Sequence, residues 1–450
     1  MTSAHDTSAT TADADDSRRV SLLLGLLFGL AGMGSSSAAV ALAMLGDDLG
    51  VSAGLAAWTI SLYVLMLAVT TALYGRISDL VGVRGPLLAG LVLMSIGALV
   101  AAVAPTFELL LGARMVQGAG AAAVPTLGVT ILSAKYSGEV RGLAFGRLAG
   151  VAAAVSCLGP LIGGLVEAAY GWRAVMALPI LGALVVPLLW RALPTGGSGA
   201  RLDVVGAVVV ALTAAGMVLL VQSPSAGLLV AAIGAALLVL GVPAVRATVR
   251  RRPDGFLPVE VIRNATVVRS AVAASSVPAS WFAMLIALPA VLLGEGWQAW
   301  QVGLAMVPSA VVALLVPQVT GPLLNRIGPS RALAVSALVA SAALLVATAG
   351  AGWSSAAVLV AGIILVTFAF GLGQPALSAV VGDAVHQDVR GVALGVSTLL
   401  FLIGGSVGSA VVAGISGPLG MPAALLVLAV LPLLGLLVLA PTLRAEAVAD

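Results

Sequence analysis

The sequence predicts an all-α polytopic membrane protein with two six-helix halves and two extra helices between them. Of its 450 residues, 61% are hydrophobic and only 9% are charged, whereas a soluble chain of this length needs much more polar surface. The apolar residues form blocks of about 20, the length at which a helix crosses roughly 30 Å of hydrocarbon. We expect helices because each satisfies its own backbone hydrogen bonds in lipid.

Fourteen apolar blocks are candidate spans, and their order predicts the domain organisation. Residues 1–19 are expected to form a disordered cytoplasmic tail, and residues 442–450 a second cytoplasmic tail. Between them lie a six-helix half (20–191), a segment with two linker helices and a basic cytoplasmic loop (192–268), and a second six-helix half (269–441). The spans are predicted at 20–45, 55–74, 86–104, 107–134, 142–166, 173–191, 204–222, 226–245, 269–293, 301–323, 331–350, 354–381, 391–416 and 421–441.

The distribution of basic residues predicts the orientation. If the N-terminus is cytoplasmic, every one of the 21 lysine and arginine residues except Arg114 and Arg173 falls on the cytoplasmic side. Such an excess follows the positive-inside rule and places both termini in the cytoplasm. We therefore expect a multi-pass protein of a bacterial inner membrane.

Two short motifs recur about 250 residues apart. The segment from Gly75 to Gly82, GRISDLVG, is echoed by GPLLNRIG from Gly321, and RGLAFG from Arg141 is echoed by RGVALG from Arg390. Both pairs are predicted at cytoplasmic loops, and the helices that flank them cross the membrane in the same direction. They predict two parallel halves around a central site, the arrangement that supports alternating access.

Several segments, in order along the chain, resemble motifs of the major facilitator superfamily, specifically of its 14-span drug:proton antiporter branch. They are GRISDLVGVR (75–84), LGARMVQGAG (111–120), Gly150 with GPLIGG (159–164), the pair WR (172–173), GLAMVP (303–308) and GLGQP (371–375). The resemblance implies the major facilitator fold. It also implies secondary active export of a small amphipathic drug or secondary metabolite, driven by protons.

The first span departs from this pattern. Many relatives carry an acidic residue there, and that acid binds cations or carries protons. In this chain Gly34 stands at the acidic position, Ala39 at a following asparagine and Ala43 at a proline, although Asp48-Leu49-Gly50 still matches. The departure weakens the expectation of a cationic substrate and of the usual proton route.

Three residues are candidates for proton coupling: Arg114, Gln117 and Glu167. A charge in the hydrocarbon region costs about 2.5–3.5 kcal/mol on insertion scales, so Arg114 should face a cavity or a polar partner. The resemblance implies a coupling role; the alternative is an arginine that ties its helix to neighbouring carbonyls. Gln117 lies on the same helical face, and Glu167 follows the span-five motif, where a hydrated loop position is the alternative.

Two further motifs are candidate conformational elements. The resemblance implies a latch between spans two and three, formed by Gly75, Arg76, Asp79, Gly82 and Arg84. It also implies that the span-five antiporter motif seals the two halves against leakage. Pro160 should bend that helix, and its glycines permit close approach of a neighbour; the motif residues are Gly150, Gly159, Pro160, Gly163 and Gly164.

Polar and aromatic residues at mid-depth are candidates for the substrate cavity, although each would serve equally in helix packing. They are Ser36, Tyr63, Trp281, Phe282, Phe368, Gln374 and Phe401. The expected partners are a small amphipathic substrate, protons and membrane lipid, with the protein acting as a monomer.

Other classes of function fit the sequence poorly. The chain has one lysine, Lys135, and no Gly-Lys-Ser/Thr motif to cradle a nucleotide phosphate, and it shows no catalytic constellation. We expect no enzyme activity, no cofactor, no metal site and no nucleic-acid binding. A carrier for an endogenous metabolite or lipid, facilitative or otherwise coupled, is the main alternative to drug export, and a non-transporting sensor is the third class.

Overall fold

The structure, a computed structural model, describes residues 4–51, 53–56, 58–193, 203–252, 257, 259–386 and 389–449, and all regular elements within them are helical. The first half contains α1 (Ala4–Leu49), α2 (Trp58–Val81), α3 (Arg84–Ala102), α4 (Phe107–Ala121), α5 (Ala123–Lys135), α6 (Gly138–Cys157) and α7 (Gly159–Ala177). The middle pair is α8 (Val204–Ala226) and α9 (Leu228–Arg251). The second half contains α10 (Ala265–Gly294), α11 (Ala299–Ile327), α12 (Pro329–Gly352), α13 (Ala356–Ala384), α14 (Arg390–Leu419) and α15 (Met421–Ala449).

The all-α polytopic architecture is confirmed. Among the described residues, 12 helical stretches are long and apolar enough to cross a membrane. One of them, Val140–Leu189, covers both predicted spans five and six, and its helical path is broken at Gly171, where φ is +78°. The count of fourteen spans stays a prediction.

Prolines divide two of the predicted spans. Span four breaks into α4 and α5 at Ala122, three residues before Pro125, and span five breaks into α6 and α7 at Leu158, two residues before Pro160. Proline has no N–H to continue the helical ladder, and its ring clashes with the preceding turn. Predicted span six contains a 3₁₀ helix over Leu178–Val185, with Pro179 at its beginning.

The N-terminal segment differs from its prediction. Residues 4–19, expected to be a disordered tail, extend α1. Asp16 anchors the extension because its Oδ2 accepts a 2.6 Å hydrogen bond from the Tyr136 hydroxyl and lies 2.8 Å from Lys135 Nζ.

The two halves pack alike, as the repeat predicts. In the first half α1 lies against α6 and α3 against α4; in the second, α10 lies against α14 and α12 against α13. The middle pair sits at the junction of the halves, where Ala214 of α8 packs against Leu65 of α2 and Leu399 of α14. The halves meet mainly through α6 and α7 against α11, and through α2 against α14.

Candidate functional site

Arg114 is fully buried, with no solvent-exposed surface. It lies about 10 Å from the beginning of α4 at Phe107, measured along the helix. Its Nε donates to the Thr59 carbonyl (2.8 Å), its Nη1 to Gln117 Oε1 (2.6 Å) and its Nη2 to the Gly34 carbonyl (2.8 Å). The guanidinium thereby connects α1, α2 and α4, and charge-assisted bonds of this kind offset the cost of burial.

Tyr63 and two glycines complete this junction. The Arg114 guanidinium lies 4.4 Å from the centre of the Tyr63 ring, a cation–π geometry, and the Tyr63 hydroxyl donates to the Ala31 carbonyl at 2.5 Å. A Cβ at Gly118 would overlap the Tyr63 backbone, and one at Gly34 would stand 3.3 Å from the Tyr63 hydroxyl. Small residues on α1 and α4 are therefore needed for Tyr63 and Arg114 to fit.

Gln117 and Glu167 occupy different environments. Gln117 is buried, and its Nε2 has no hydrogen-bond partner among the described residues, although its Oε1 accepts from Arg114. Glu167 is half-buried on α7, one turn beyond Gly164. The structure thus pairs Gln117 directly with Arg114 and places Glu167 on another helix, three residues beyond Gly164.

The glycine motif of span five has two contact faces. A Cβ at Gly159 or Gly163 would collide with Ser36 or Ser37 of α1, so one face holds the first half together. On the other face, Gly150 lies against Pro317 of α11, and Gly164 lies against Ala299 and Trp300 at the beginning of α11. The backbone of Leu161 occupies the space a side chain would fill at Gly303. The halves are consequently in backbone contact along this seam.

A polar cluster lies at the end of α1. Asp48 Oδ2 accepts from Arg173 Nη1 at 2.6 Å and from Trp172 Nε1 at 3.0 Å, and Arg173 also lies over the Trp172 ring. The bonds from Arg173 and Trp172 lower the pKa of Asp48 below its ordinary value of 3.8. We call this end of the bundle, where Asp48, Trp172 and Trp300 lie, the closed end.

The predicted latch is described only in part. Gly82 adopts a φ of +83°, which ends α2 and favours glycine. Arg84 donates from Nε to the Leu193 carbonyl at 3.1 Å and lies over the Trp190 ring, so it ties α3 to the end of predicted span six. Gly75 faces Thr126 of α5. The side chains of Arg76 and Asp79 lie outside the described residues.

Two adjoining cavities, of about 550 and 240 Å³, lie between the halves at the opposite end of the bundle, which we call the basic end. Four residues line both of them: Ser133, Arg141, Arg390 and Leu394. The larger cavity reaches Thr126 and is rimmed by Lys135. Arg114 lies about 18 Å from Thr126 along the same predicted span, so it is separate from the cavity.

The predicted cavity residues are mostly packed in the core. Trp281 stacks on Phe370 with ring centres 4.5 Å apart, and its indole N–H donates to Thr367. Phe401 contacts Phe370, and Phe282 contacts Trp281. Ser36, Tyr63 and Gln374 are also buried, whereas Phe282 and Phe368 are half-buried. None of the seven lines the two cavities described above.

Sequence reasoning missed the residues that do line the cavities. Arg141 and Arg390 were noted only as the first residues of a repeat, and Ser133 carried no signal. The repeat itself was the available signal, because equivalent positions in parallel halves can face each other across a central cleft.

Comparison with known proteins decides the family. The family model described as Major Facilitator Superfamily matches residues 24–409 and, in a second match, residues 270–449. The chain belongs to the Major Facilitator Superfamily. The predicted superfamily and its all-α fold are confirmed, whereas the 14-span drug:proton antiporter branch stays a prediction. The protein is a membrane transporter rather than an enzyme.

Similar facilitators include named exporters and resistance proteins. The cephamycin export protein CmcT of Amycolatopsis lactamdurans is 30% identical over 418 residues, covering 86% of this chain and 82% of its own. The multidrug resistance protein Stp of Mycobacterium tuberculosis (strain CDC 1551 / Oshkosh) is 26% identical, covering 80% and 68%. The methylenomycin A resistance protein of Bacillus subtilis (strain 168) is 25% identical, covering 83% of each.

A solved structure supports the facilitator fold. The crystal structure of the human organic anion transporter MFSD10 (TETRAN) aligns with a TM-score of 0.66, covering 94% of this chain and 99% of its own. At 17% sequence identity, this similarity concerns the fold alone.

Proposed function

We propose that this facilitator exports a small amphipathic drug or secondary metabolite by proton antiport with alternating access. The observation that carries the proposal is the asymmetry between the two ends of the bundle. At the closed end the glycine motif brings the backbones of α7 and α11 together, while a cavity separates the halves at the basic end. The named export and resistance functions of the relatives favour a drug or antibiotic as cargo.

The basic end corresponds to the cytoplasm if the charge distribution sets the orientation in a bacterial inner membrane. In that orientation, a substrate enters the cavity from the cytoplasm or the inner leaflet. Rocking of the halves about α6, α7 and α11 then closes the basic end and separates the glycine seam. Only small residues along the seam permit the close approach of the helices that prevents leakage while the basic end is open.

Arg114 and Gln117 would couple this movement to the proton gradient without themselves carrying the proton. An arginine stays protonated in proteins, so Arg114 acts by holding α1, α2 and α4 in one arrangement. Glu167 is the candidate proton carrier, because it is half-buried on α7 beside the seam that must open. Its protonation would remove a charge that hinders closure of the seam.

The alternative, a carrier for an endogenous metabolite or lipid, is favoured by one observation. The lining of the larger cavity has no acidic residue among the described positions, so the expected site for a cationic drug is missing. Such a carrier would use the same alternating movement with a different cargo or coupling ion.

The test is efflux from cells that lack their own pumps, measured for a panel of lipophilic antibiotics with and without a protonophore. Protonophore-sensitive efflux, lost in Glu167→Gln, supports proton antiport. Absence of efflux across the panel, with the inserted protein quantified in the membrane, would reject drug export in favour of the endogenous carrier.

A further inference from the structure

Two arginines related by the internal repeat face the same space. Arg141 lies in the first turn of α6 and Arg390 begins α14, so each half contributes one. Both line the larger and the smaller cavity. The cleft at the basic end therefore presents a pair of guanidinium groups in a pseudo-symmetric arrangement.

Neither arginine is neutralised by a carboxylate that the structure describes. Arg390 donates its Nε to the Gly382 carbonyl at 2.9 Å, a bond that orients the side chain but leaves its charge unmatched. Both side chains are half-buried, where a charge is less screened than at a free surface. Lys135, at the rim, is already paired with Asp16.

The remaining polar lining favours an anion over a cation. Asp383 is the one acidic residue among the described lining positions, and it is exposed at the smaller cavity. The Ser133 hydroxyl, which lines both cavities, is buried without a hydrogen-bond partner among the described residues. It is a free hydrogen-bond donor beside the two guanidinium groups.

The rest of the larger cavity suits an uncharged body with polar and apolar parts, because its lining combines hydroxyl residues, such as Thr130 and Thr398, with apolar ones. From Lys135 to Thr126 it follows α5 for about 14 Å, past Val129 and opposite Leu394. Phe145 adds an aromatic wall to the smaller cavity. A ligand with one charged end and an uncharged, amphipathic remainder would match a basic entrance and a mainly uncharged interior.

We propose that Arg141 and Arg390 together bind the anionic group, a carboxylate or a sulfonate, of an amphipathic substrate at the basic end of the cavity. This deepens the proposed transport function and rests on it for the identification of the ligand as cargo. The planar fork of arginine matches the two oxygens of a carboxylate, and a residue from each half lets one ligand contact both halves.

Binding of three dansyl probes to the purified full-length protein in lipid nanodiscs tests the proposal. Dansyl-6-aminohexanoic acid is an anion, its methyl ester is neutral, and dansylcadaverine is a cation of similar size. After subtraction of probe binding to empty nanodiscs, the acid should bind about a hundredfold more tightly than the ester, because one charge-assisted hydrogen bond from each arginine contributes about tenfold. Its affinity alone should fall as salt is raised.

Arg141→Gln and Arg390→Gln should each weaken binding of the acid about tenfold and leave the ester within about twofold of wild type. Arg326→Gln is the matched control, because Arg326 is an exposed cation at the same end that lines neither cavity. Where a glutamine variant fails to yield monodisperse protein, Arg141→Lys and Arg390→Lys replace it. They keep the charge but lose the fork, so a smaller loss confined to the acid is expected.

Equal affinity of wild type for the three probes would overturn the proposal. So would arginine variants that weaken all three probes alike, since the arginines would then act on conformation rather than on ligand charge. Binding in nanodiscs is independent of export. Anion-selective binding without efflux would reject the transport function alone. Efflux of dansyl-6-aminohexanoic acid by Arg141→Gln at the wild-type rate would reject the anion site alone.

Discussion

Arg114 donates a 2.8 Å hydrogen bond from Nη2 to the backbone carbonyl of Gly34, at the position where the resemblance to the antiporter branch predicts an acid. The partner of the membrane arginine on α1 is therefore a carbonyl oxygen and not a carboxylate. The carbonyl cannot be protonated, so the contact between α1 and α4 cannot be switched by titration at this position. Coupling has to depend on another group.

Substitution of Arg114 tests whether its three-helix junction is required. Arg114→Lys keeps the charge, but a compact ammonium cannot serve the carbonyls of Thr59 and Gly34 and the Gln117 amide in the same geometry. We expect a loss of stability of about 1–3 kcal/mol and at least a tenfold slower efflux, with normal insertion. Thermal unfolding in detergent and efflux from cells measure the two effects. Export by Arg114→Lys at the wild-type rate would exclude a coupling role.

Two substitutions of Gly34 test separately the effects of side-chain size and of charge at this position. A Cβ there stands 3.2 Å from Pro179 Cγ and 3.3 Å from the Tyr63 hydroxyl, so Gly34→Ala should cost about 1 kcal/mol and preserve export. Gly34→Asp should displace Tyr63 and form a buried ion pair that fixes α1 on α4, so export should fall well below that of Gly34→Ala. Equal export by both variants would contradict the assigned role of the Gly34 carbonyl.

Gly303 lies in the seam between α7 and α11, so a larger residue there should change the conformation of the protein. In Gly303→Ala the new Cβ would overlap the Leu161 backbone, which cannot move as a flexible side chain can. The closed end should open, and a cysteine at Ala299, which lies against Gly164 in the seam, should react several-fold faster with an impermeant maleimide. Native Cys157 is buried and gives a low background.

Gly112→Ala is the control for the seam, since no atom lies within 4 Å of a Cβ there. It should leave the Ala299→Cys labelling rate unchanged. If Gly303→Ala labels no faster than Gly112→Ala, the seam is not what keeps the closed end shut.

Asp48, at the closed end, should make a pH-dependent contribution to the stability of the folded protein. Because its pKa is lowered in the folded protein, its stabilising contribution is complete above the ordinary value of 3.8 and is lost as pH falls through the lowered folded value. Asp48→Asn should therefore unfold at a lower temperature than wild type at pH 7, with the difference shrinking below about pH 4. The pair is exposed, so the shift should be small. A difference that stays constant with pH would assign the effect to packing.

Much of this fold was predictable because membrane insertion imposes strong rules on sequence. Blocks of apolar residues, cations confined to one side and paired motifs gave the helical architecture and the two halves. The helical conformation of residues 4–19 was not predicted, because their polar and acidic composition is also typical of a flexible tail. The 3₁₀ segment at Leu178–Val185 was missed because hydropathy does not distinguish helix types.

Of the candidate site, only residues that are rare inside membrane spans could be predicted from the sequence. Arg114 was identifiable because a charge inside a span is expensive and needs partners, yet which carbonyls it meets follows from the packing of α1 and α2. The aromatic residues Trp281 and Phe401 were expected at a cavity but pack on Phe370. An aromatic at mid-depth serves the core and a pocket equally well, and only the three-dimensional arrangement separates the two.

The most direct test of proton-coupled export uses the purified protein in liposomes with an imposed pH gradient. The experiment records movement of dansyl-6-aminohexanoic acid and of protons together, with empty liposomes correcting for passive permeation. Antiport predicts that a proton gradient drives the probe against its concentration, that the probe's own gradient drives protons the opposite way, and that Glu167→Gln abolishes both. Probe movement that only equalises concentrations, with no linked proton flux, would contradict the account.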